Sequence, residues 1–298
     1  MGDAAGEHQA AMRETYRRLA NTGKVHWTPC GDGRMAWREW GAGPTVAVLH
    51  GGSGSWRHWI ANIPTWQQHF RLLVADLPGL GDSDMPPKHF DHDDLLSSVR
   101  DLADIVIAGI RALADGPVHV VGFSAGSITG AQMTAAYPDE VLSLHLAGAS
   151  GLGIPWGGLA GRLRGMRDDM TREERLGAQG HNLGLIMLSQ PAAADSIEAE
   201  LQLDNAERAR LRTHPLADSN VLGESLPRIQ CPVHSIWGEL DPYAQPELDK
   251  RVALFRQHFP RADLQTLSGA GHWVMYERAD VYTDAVLRQL QNPEANFC

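Results

Sequence analysis

A serine in a position to act as a nucleophile occurs in the sequence GFSAG at residues 122–126. The β-branched run before it predicts a strand, and residues 127–133 have the character of a helix. A strand that passes into a helix across G-x-S-x-G turns so tightly that both flanking positions favour glycine, and the serine hydroxyl is exposed. Ser124 is therefore predicted to be a nucleophile, with an ordinary glycine turn after a strand as the alternative.

A serine hydroxyl becomes a good nucleophile when a base takes its proton and a carboxylate holds that base in one tautomer. Among the 14 histidines, His272 follows the last predicted strand in the glycine-rich loop GAGHW, at the same sheet end as Ser124. Asp241, in WGELDP, follows the penultimate strand, and Glu239 is the competing carboxylate. We predict Ser124, Asp241 and His272 as the catalytic residues.

Hydrogen-bond donors are needed for the negative charge that forms on a carbonyl oxygen during such a reaction. Ala125 offers one, since the first amides of a helix have no intrahelical partner. The sequence HGGSG at residues 50–54 follows a strand that should lie beside the nucleophile strand, and its glycines let the backbone approach a substrate closely. We expect the Gly52 N–H to be the second donor, with Ser53 as the alternative, and His50 to order the loop.

Strands alternate with helices around these motifs, which predicts a mostly parallel sheet with helices on both faces. The hydrophobic patterns place an antiparallel hairpin at residues 24–40, buried strands at 45–49, 71–75, 141–147, 233–237 and 264–267, and helices at 94–114, 247–258 and 276–291.

Residues 148–232 interrupt this alternation with a glycine-rich stretch, a charge-dense stretch and two helical segments, at residues 182–188 and 193–211. We interpret residues 151–219, called the cap segment below, as a helical cap (lid) domain over the ends of the strands. Residues 1–150 and 220–298 are then the core domain.

Composition excludes several classes of partner and site. A net charge of −10 argues against binding to nucleic acid or to anionic membranes, which requires clustered Lys and Arg. The three cysteines, far apart and odd in number, fit neither a disulfide framework nor a cysteine-based metal site. With no signal-peptide core and no run of about 18 apolar residues, the expected location is the cytoplasm. Residues 1–22 predict a partly helical arm on the surface or on a neighbouring subunit, so a homodimer is one arrangement that the sequence allows.

Five motifs, HGGSGSW, DLPGLGDSD, GFSAG, WGELDP and GAGHW, together resemble the α/β-hydrolase superfamily over residues 24–291. The order Ser, Asp, His along the chain is the order of that superfamily. The resemblance implies an α/β-hydrolase fold with an eight-stranded, mostly parallel sheet, a cap inserted after the sixth strand, and no metal or organic cofactor. Serine at the turn disfavours the epoxide-hydrolase and haloalkane-dehalogenase branches, which attack with a carboxylate.

Within the superfamily, the HGG loop, the cap position and Trp273 are similar to hydrolases that cleave carbon–carbon bonds in ring-fission products of aromatic catabolism. That branch usually carries asparagine where this chain has Phe123, and a second asparagine that aligns with His58. It also holds a substrate carboxylate with a cap arginine, for which Arg175 and Arg208 are the candidates here. These departures favour ester hydrolysis.

We therefore expect a serine hydrolase that cleaves a small carboxylic ester or related acyl compound through an acyl-enzyme on Ser124. Carbon–carbon hydrolysis of a vinylogous diketo acid is the alternative, and a non-catalytic ligand-binding homologue is a third hypothesis. The expected partner is a small-molecule substrate. The residues proposed to contact it are Ser53, Phe123, Trp156, Met187 and Trp273. Four apolar residues of the cap segment could shape the pocket or equally well form the core of the cap: Trp156, Met166, Leu185 and Met187.

Overall fold

Within residues 2–292, which the computed structural model describes, eight strands form one sheet. The strands are β1 (Lys24–Cys30), β2 (Gly33–Trp40), β3 (Thr45–Leu49), β4 (Arg71–Ala75), β5 (Val118–Phe123), β6 (Val141–Ala147), β7 (Val233–Gly238) and β8 (Leu264–Leu267). They lie in the order β1-β2-β4-β3-β5-β6-β7-β8. The β1–β2 and β2–β4 pairs are antiparallel and all others are parallel, which confirms the predicted mostly parallel sheet.

Helices cover both faces of this sheet and fill the connections between its strands. They are α1 (Gly2–Thr22), α2 (Ile63–Trp66), α3 (Leu95–Leu113), α4 (Ala125–Ala136), α5 (Arg172–Ile186), α6 (Ile197–Arg208), α7 (Val221–Ser225), α8 (Leu248–His258), α9 (Val274–Glu277) and α10 (Ala279–Gln291). The single final helix predicted from residue 276 is in fact two, because Arg278 leaves the helical conformation with φ −123° and ψ 47°. None of the helices within residues 2–292 has both the length and the apolar character needed to cross a membrane.

The central strands are buried on both sides, as expected for a parallel sheet between two helical layers. Along β3, Val46 and Val48 pack into the cluster that contains Trp59 and Tyr282. The alternate residues, Ala47 and Leu49, pack into the opposite cluster together with α3 and α4. Because successive side chains of a strand point to opposite faces, one short apolar run contributes to two cores.

The chain between β6 and β7 contains α5, α6 and α7, so the helical insertion after the sixth strand is present as predicted. Helix α5 begins with a capping box in which Thr171 and Glu174 satisfy each other's backbone amides. Helix α6 rests on the loop that follows β3, where Ser55 Oγ donates to Asn205 Oδ1 over 2.7 Å. The domain boundaries at residues 151 and 219 stay a prediction.

Helix α1 packs against α6 of the same chain. Gln9 Nε2 donates to the carboxylate of Glu198 at 3.0 and 3.1 Å, and the hydroxyl of Tyr276 donates to the same carboxylate at 2.6 Å. Nearby, the ring of Tyr16 stacks on Trp56 with 5.7 Å between centroids. Glu198 therefore joins the N-terminal helix, the cap segment and α9 at one buried point.

Candidate active site

Ser124 lies in the turn between β5 and α4, with φ 51° and ψ −116°. An L-residue rarely adopts a positive φ, so the position is strained. A Cβ atom at Gly122 would lie 2.6 Å from the Gly126 carbonyl oxygen, and one at Gly126 would lie 2.5 Å from the carbonyl oxygen of His50. The turn therefore requires glycine on both sides of the serine. Ala125 follows as the first residue of α4, so its amide has no intrahelical acceptor.

His272 and Asp241 form a buried pair at the same edge of the sheet. Asp241 follows β7 and His272 follows β8, and because these strands are parallel their loops meet. His272 Nδ1 lies 2.7 Å from Asp241 Oδ2, while Oδ1 accepts the Tyr243 N–H at 2.8 Å. A carboxylate oxygen can only accept, so Nδ1 donates in this hydrogen bond, and in the neutral imidazole Nε2 is the nitrogen with the lone pair.

Two aromatic rings pack against the imidazole of His272. The ring of Phe123 lies 4.8 Å from it between centroids, and the ring of Tyr243 lies 4.6 Å away. Within the described residues, Nε2 of His272 is buried and has no hydrogen-bond partner. Both His272 and Ser124 line one cavity, so the predicted base and the strained serine meet at the same place.

Glu239, the competing carboxylate, is used elsewhere. It accepts hydrogen bonds from the hydroxyl of Ser268 at 2.8 Å and from the Gly269 N–H at 3.0 Å. These two donors stabilise the charged form and hold the pKa of Glu239 below its usual value. The side chain is exposed and does not line the cavity. The structure thus brings Asp241, and not Glu239, to His272.

The loop after β3 lies directly beside Ser124, because β3 pairs with β5 and Leu49 is opposite Gly122. A Cβ atom at Gly51 would lie 3.2 Å from the Cβ atom of Ser124, so the backbone passes close to the serine. Gly52 and Ser53 both line the cavity, and Ser53 has a φ of 44°. The amide predicted as the second oxyanion donor is therefore in the same cavity as the nucleophile.

His50 fixes this loop instead of facing the cavity. Its Nε2 accepts the Leu77 N–H at 2.9 Å, which leaves Nδ1 to donate to the Gly51 carbonyl at 2.7 Å. Burial lowers the pKa of His50 and keeps the ring neutral. These hydrogen bonds agree with the expectation that His50 orders the loop.

The cavity has a volume of about 430 Å³ and is walled by both the core and the cap segment. Of the residues proposed to contact substrate, Ser53, Phe123, Trp156 and Met187 line it. Further apolar lining comes from Ile128, Leu159, Leu163, Ile186 and Leu216. Its size and mixed lining are those of a site for a small molecule.

Trp273 is the exception among the residues proposed to contact substrate. Its side chain is fully buried and lies outside the cavity lining. The indole N–H donates to the His58 carbonyl at 2.9 Å, and the ring stacks on Tyr276 with 4.4 Å between centroids. Because the neighbouring residue His272 turns toward the cavity, the side chain of Trp273 packs into the core beneath it.

Several lining residues have no signal in the sequence. Gln202, on α6, donates from Nε2 to the Ser53 carbonyl at 3.2 Å and accepts from His58 Nε2 at 3.4 Å. His58 is buried, which lowers its pKa to about 3 and keeps it neutral. Tyr243 packs on His272 and, at 4.9 Å between centroids, on Trp156. Tyr243 lies two residues after the predicted acid, and that position is the one sequence feature by which it could have been found.

The charges around the cavity are few. Asp218, exposed at its mouth, accepts a hydrogen bond from the indole of Trp156, and neither lysine nor arginine is among the lining residues in the part of the chain that the structure describes. The two arginine candidates lie elsewhere: Arg175 pairs with Glu207 at 3.1 Å, and Arg208 pairs with Asp82 at 2.6 Å. Among residues 2–292, no three His, Cys, Asp or Glu side chains are grouped as a metal ion requires.

A family model described as the alpha/beta hydrolase fold matches residues 44–279. The chain belongs to the α/β-hydrolase family. The match includes all five motifs and every residue of the Ser124, Asp241 and His272 set.

Curated relatives of this α/β-hydrolase are distant but cover nearly its whole length. It is similar to a 2-hydroxy-6-oxononadienedioate/2-hydroxy-6-oxononatrienedioate hydrolase of Burkholderia vietnamiensis, with 25% identity over 95% of this chain and 98% of the relative. An enzyme of the same name from Escherichia coli is 26% identical over 91% and 92%.

Solved structures share the fold. A carboxylesterase from Bacillus subtilis superposes with a TM-score of 0.69 at 17% identity, covering 96% of this chain and 98% of that one. A bacterial membrane phospholipase A superposes with a TM-score of 0.68 at 20% identity, covering 96% and 91%. At these identities, the superpositions describe the architecture of the α/β-hydrolase alone.

Proposed function

We propose that the protein is a serine hydrolase that cleaves a small, uncharged carboxylic ester or related acyl compound. One observation carries the proposal: the strained Ser124 lines the same cavity as His272, whose Nδ1 lies 2.7 Å from Asp241 and whose Nε2 has no hydrogen-bond partner within the described residues. A hydroxyl presented on a tight turn, a neutral imidazole with its free nitrogen available and a carboxylate that fixes its tautomer are the parts that acyl transfer needs.

The reaction then follows from the positions of these groups. Ser124 Oγ attacks the ester carbonyl carbon while His272 Nε2 takes the hydroxyl proton, and the carbonyl electron pair moves to its oxygen. When the tetrahedral intermediate collapses, the bond to the alcohol oxygen breaks and His272 returns the proton to it. Water, activated by the same nitrogen, attacks the acyl-enzyme and releases the acid. Asp241 stabilises the imidazolium without taking its proton.

The amides of Gly52 and Ala125 are proposed to hold the oxyanion. Both residues line the cavity, and both stand beside Ser124, one on the loop after β3 and one at the start of α4. Backbone amides fixed in this way require no reorganisation when charge develops, and loss of one such donor costs about 2.7–4 kcal/mol of transition-state stabilisation.

Charge favours an uncharged ester over the substrate in the names of the curated relatives. A dioate carries two carboxylates, and burying a carboxylate without a cationic partner is costly. Asp218 is the acidic side chain at this cavity, and the described lining contributes no Lys or Arg to balance a substrate carboxylate. The electrostatics of this cavity therefore support a neutral substrate.

Carbon–carbon hydrolysis remains the second candidate because relatives at 25–26% identity, matched over 92–98% of their length, are named as hydrolases of 2-hydroxy-6-oxononadienedioate. The same serine and histidine would serve it. The lining charge is the feature that separates the two candidates, so the substrates in the test should differ in charge as well as in the bond cleaved.

A fluorophosphonate probe and a two-substrate assay test the proposal. Wild-type protein should be labelled by the probe, and Ser124→Ala should not, whereas Ser127→Ala, a buried serine in the first turn of α4, should still be labelled. Aryl and alkyl esters of increasing acyl length should be turned over, and a ring-fission dienedioate should not. Equal labelling of wild type and Ser124→Ala, or turnover of the dienedioate alone, would contradict the proposal.

A further inference from the structure

The hydroxyl of Thr213 occupies an unusual position at the start of the short 3₁₀ helix His214–Asp218. Threonine at a helix N-cap usually accepts a hydrogen bond from a backbone amide of the first turn. Here Thr213 is the N-cap residue, yet its side chain makes no capping hydrogen bond. Its Oγ1 lies over Gly52 instead: a Cβ atom added at that glycine would be 2.4 Å from Thr213 Oγ1.

Thr213 also lies in the cavity that contains the predicted nucleophile. It is buried, and it lines the cavity together with Gly52, Ser124 and Ala125. A threonine hydroxyl has one proton to donate and rotates to suit its acceptor. Within the described residues the Thr213 hydroxyl has no hydrogen-bond partner, so its proton is available next to one of the two amides already proposed to hold the oxyanion.

The segment before Thr213 is fixed to the core. The amides of Arg210 and Leu211 both donate to the carbonyl oxygen of Gly79, at 2.9 and 3.2 Å. The side chain of Leu211 is buried in the same cluster as Leu77 and Leu80. These contacts hold the backbone beside Thr213 in place before substrate arrives, which is the condition for an effective transition-state donor.

We propose that Thr213 is a third oxyanion donor, contributed by the cap segment. This inference rests on the proposed hydrolase function. As Ser124 Oγ bonds to the carbonyl carbon, the carbonyl electron pair moves to oxygen, and the Thr213 O–H donates a hydrogen bond to that oxygen while keeping its proton. The proton of Ser124 goes to His272 and then to the leaving alcohol, as before. The oxyanion thus receives two donors from the core and one from the cap segment.

Three variants separate this role from a merely structural one. Thr213→Val replaces the hydroxyl by a methyl group of nearly the same shape, Thr213→Ser keeps the hydroxyl and loses the methyl, and Thr213→Ala loses both. With the best ester from the acyl-length screen, Thr213→Val and Thr213→Ala should lower kcat about 10²-fold with KM nearly unchanged. Thr213→Ser should stay within about threefold of wild type. A trifluoromethyl ketone, which forms a tetrahedral adduct with the serine, should bind Thr213→Val more weakly by about the same factor as the loss in kcat.

The inference is wrong if Thr213→Val keeps the wild-type kcat, if it raises KM alone, or if Thr213→Ser loses as much activity as Thr213→Val. Should Thr213→Val not fold, as judged by thermal unfolding, the comparison of Thr213→Ala with Thr213→Ser decides the same question. Ser124→Ala, assayed in the same series, distinguishes a failure of the role of Thr213 from a failure of the proposed function. If Ser124→Ala is inactive and Thr213→Val is fully active, only the role of Thr213 fails; if Ser124→Ala is as active as wild type, the proposed function fails and the role of Thr213 with it.

Discussion

The side chain of Gln202, on cap helix α6, donates from Nε2 to the backbone carbonyl of Ser53 over 3.2 Å. Ser53 and Ser124 are the two non-glycine residues with positive φ within the described chain, and both line the cavity. Strained backbone persists when its surroundings over-determine it. The hydrogen bond from α6 is one of the contacts that hold the loop beside the nucleophile in its strained conformation.

Replacing Gln202 by alanine should therefore reduce both activity and stability. The buried His58 Nε2–H and the Ser53 carbonyl would lose their partner, which costs about 1–3 kcal/mol of unfolding free energy, and the loosened loop should lower kcat about tenfold. Gln179 is a matched control, because it is a buried glutamine on the other long cap helix and its Nε2 donates a weak hydrogen bond to Met166 Sδ, at 3.4 Å. Urea unfolding and ester kinetics measure both effects. Equal losses in Gln202→Ala and Gln179→Ala would argue against a specific role for Gln202.

Asp241→Asn should lower kcat about 10⁴-fold, the loss typical of a triad in which the amide stabilises the wrong histidine tautomer. Glu239→Gln should stay within a few-fold of wild type, because Glu239 binds Ser268 and Gly269 outside the cavity. Steady-state kinetics of wild type and the two single variants on one ester measure both changes in kcat. A larger loss in Glu239→Gln than in Asp241→Asn would reverse the assignment of the acid.

The strain at Ser124 can be measured without any substrate. Glycine adopts φ 51°, ψ −116° without a Cβ penalty, so Ser124→Gly should have an unfolding free energy about 1–2 kcal/mol higher than Ser124→Ala. Ala136→Gly, at the helical end of α4, should shift stability in the opposite direction by about 0.5–1 kcal/mol relative to wild type. Chemical denaturation gives all three values. If Ser124→Gly is the less stable of the Ser124 pair, the turn is not strained in solution.

Stability should fall as the solution is acidified below about pH 6.5, the ordinary pKa of histidine. Burial lowers the pKa of four histidines in the folded state: His50, His58, His119 and His145. Below pH 6.5 the unfolded chain binds protons at these histidines that the folded chain does not bind. Their contribution to the unfolding free energy is therefore fully present above about pH 6.5 and is lost progressively as the pH falls toward the folded-state pKa.

His145 allows this to be tested away from the cavity. It is buried between Ser143, at 2.7 Å from its Nε2, and Gln289, at 3.1 Å from its Nδ1, and its ring stacks on His234. Between pH 7.5 and 5.5, His145→Asn should lose about 1 kcal/mol less unfolding free energy than wild type. Substitution of the exposed Gln68, which follows α2, by asparagine changes no titratable group and should leave the pH dependence as it is. Identical slopes for wild type and His145→Asn would remove His145 from the explanation.

The charge of Asp218 should discriminate between substrates. Asp218→Asn should raise kcat/KM for an ester that carries a carboxylate, relative to its neutral analogue, by about 2–5-fold at low ionic strength, and the gain should shrink with added salt. Asp139→Asn removes the same charge just before β6, at the opposite end of the parallel strands, and should leave the ratio unchanged. A gain that is equal in the two variants would point to net charge alone.

The sequence predicts those parts of the protein that depend on local patterns. Apolar runs such as TVAVL and RLLVA became β3 and β4 with the predicted bounds, because a strand buried on both faces leaves few alternatives for such a run. The positions of Ser124, Asp241 and His272 followed from strand ends, which a parallel sheet brings to one edge. The split between α9 and α10 at Arg278 had no equivalent signal.

The cavity walls were less predictable because they depend on how distant segments pack. Gln202 and Ser53 are 149 positions apart, and no pattern in α6 marks which of its polar residues faces the loop. Trp273 shows the opposite error: its place next to His272 suggested contact with substrate, yet adjacent side chains diverge in a loop, and the indole lies in the core. The position of Thr213 could not be predicted from the sequence, because only the structure shows that its side chain makes no capping hydrogen bond.

Helix α1 has a practical consequence for anyone handling this protein. The side chain of Gln9 donates to the carboxylate of Glu198, which lies one helical turn before Gln202 on α6. The same carboxylate accepts a hydrogen bond from Tyr276, four residues after His272. An affinity tag or fusion partner at this end is therefore attached to a helix that contacts the same cap helix as the loop beside Ser124. Kinetic constants from preparations that differ in their N-terminal extension should therefore be compared with a control for that extension.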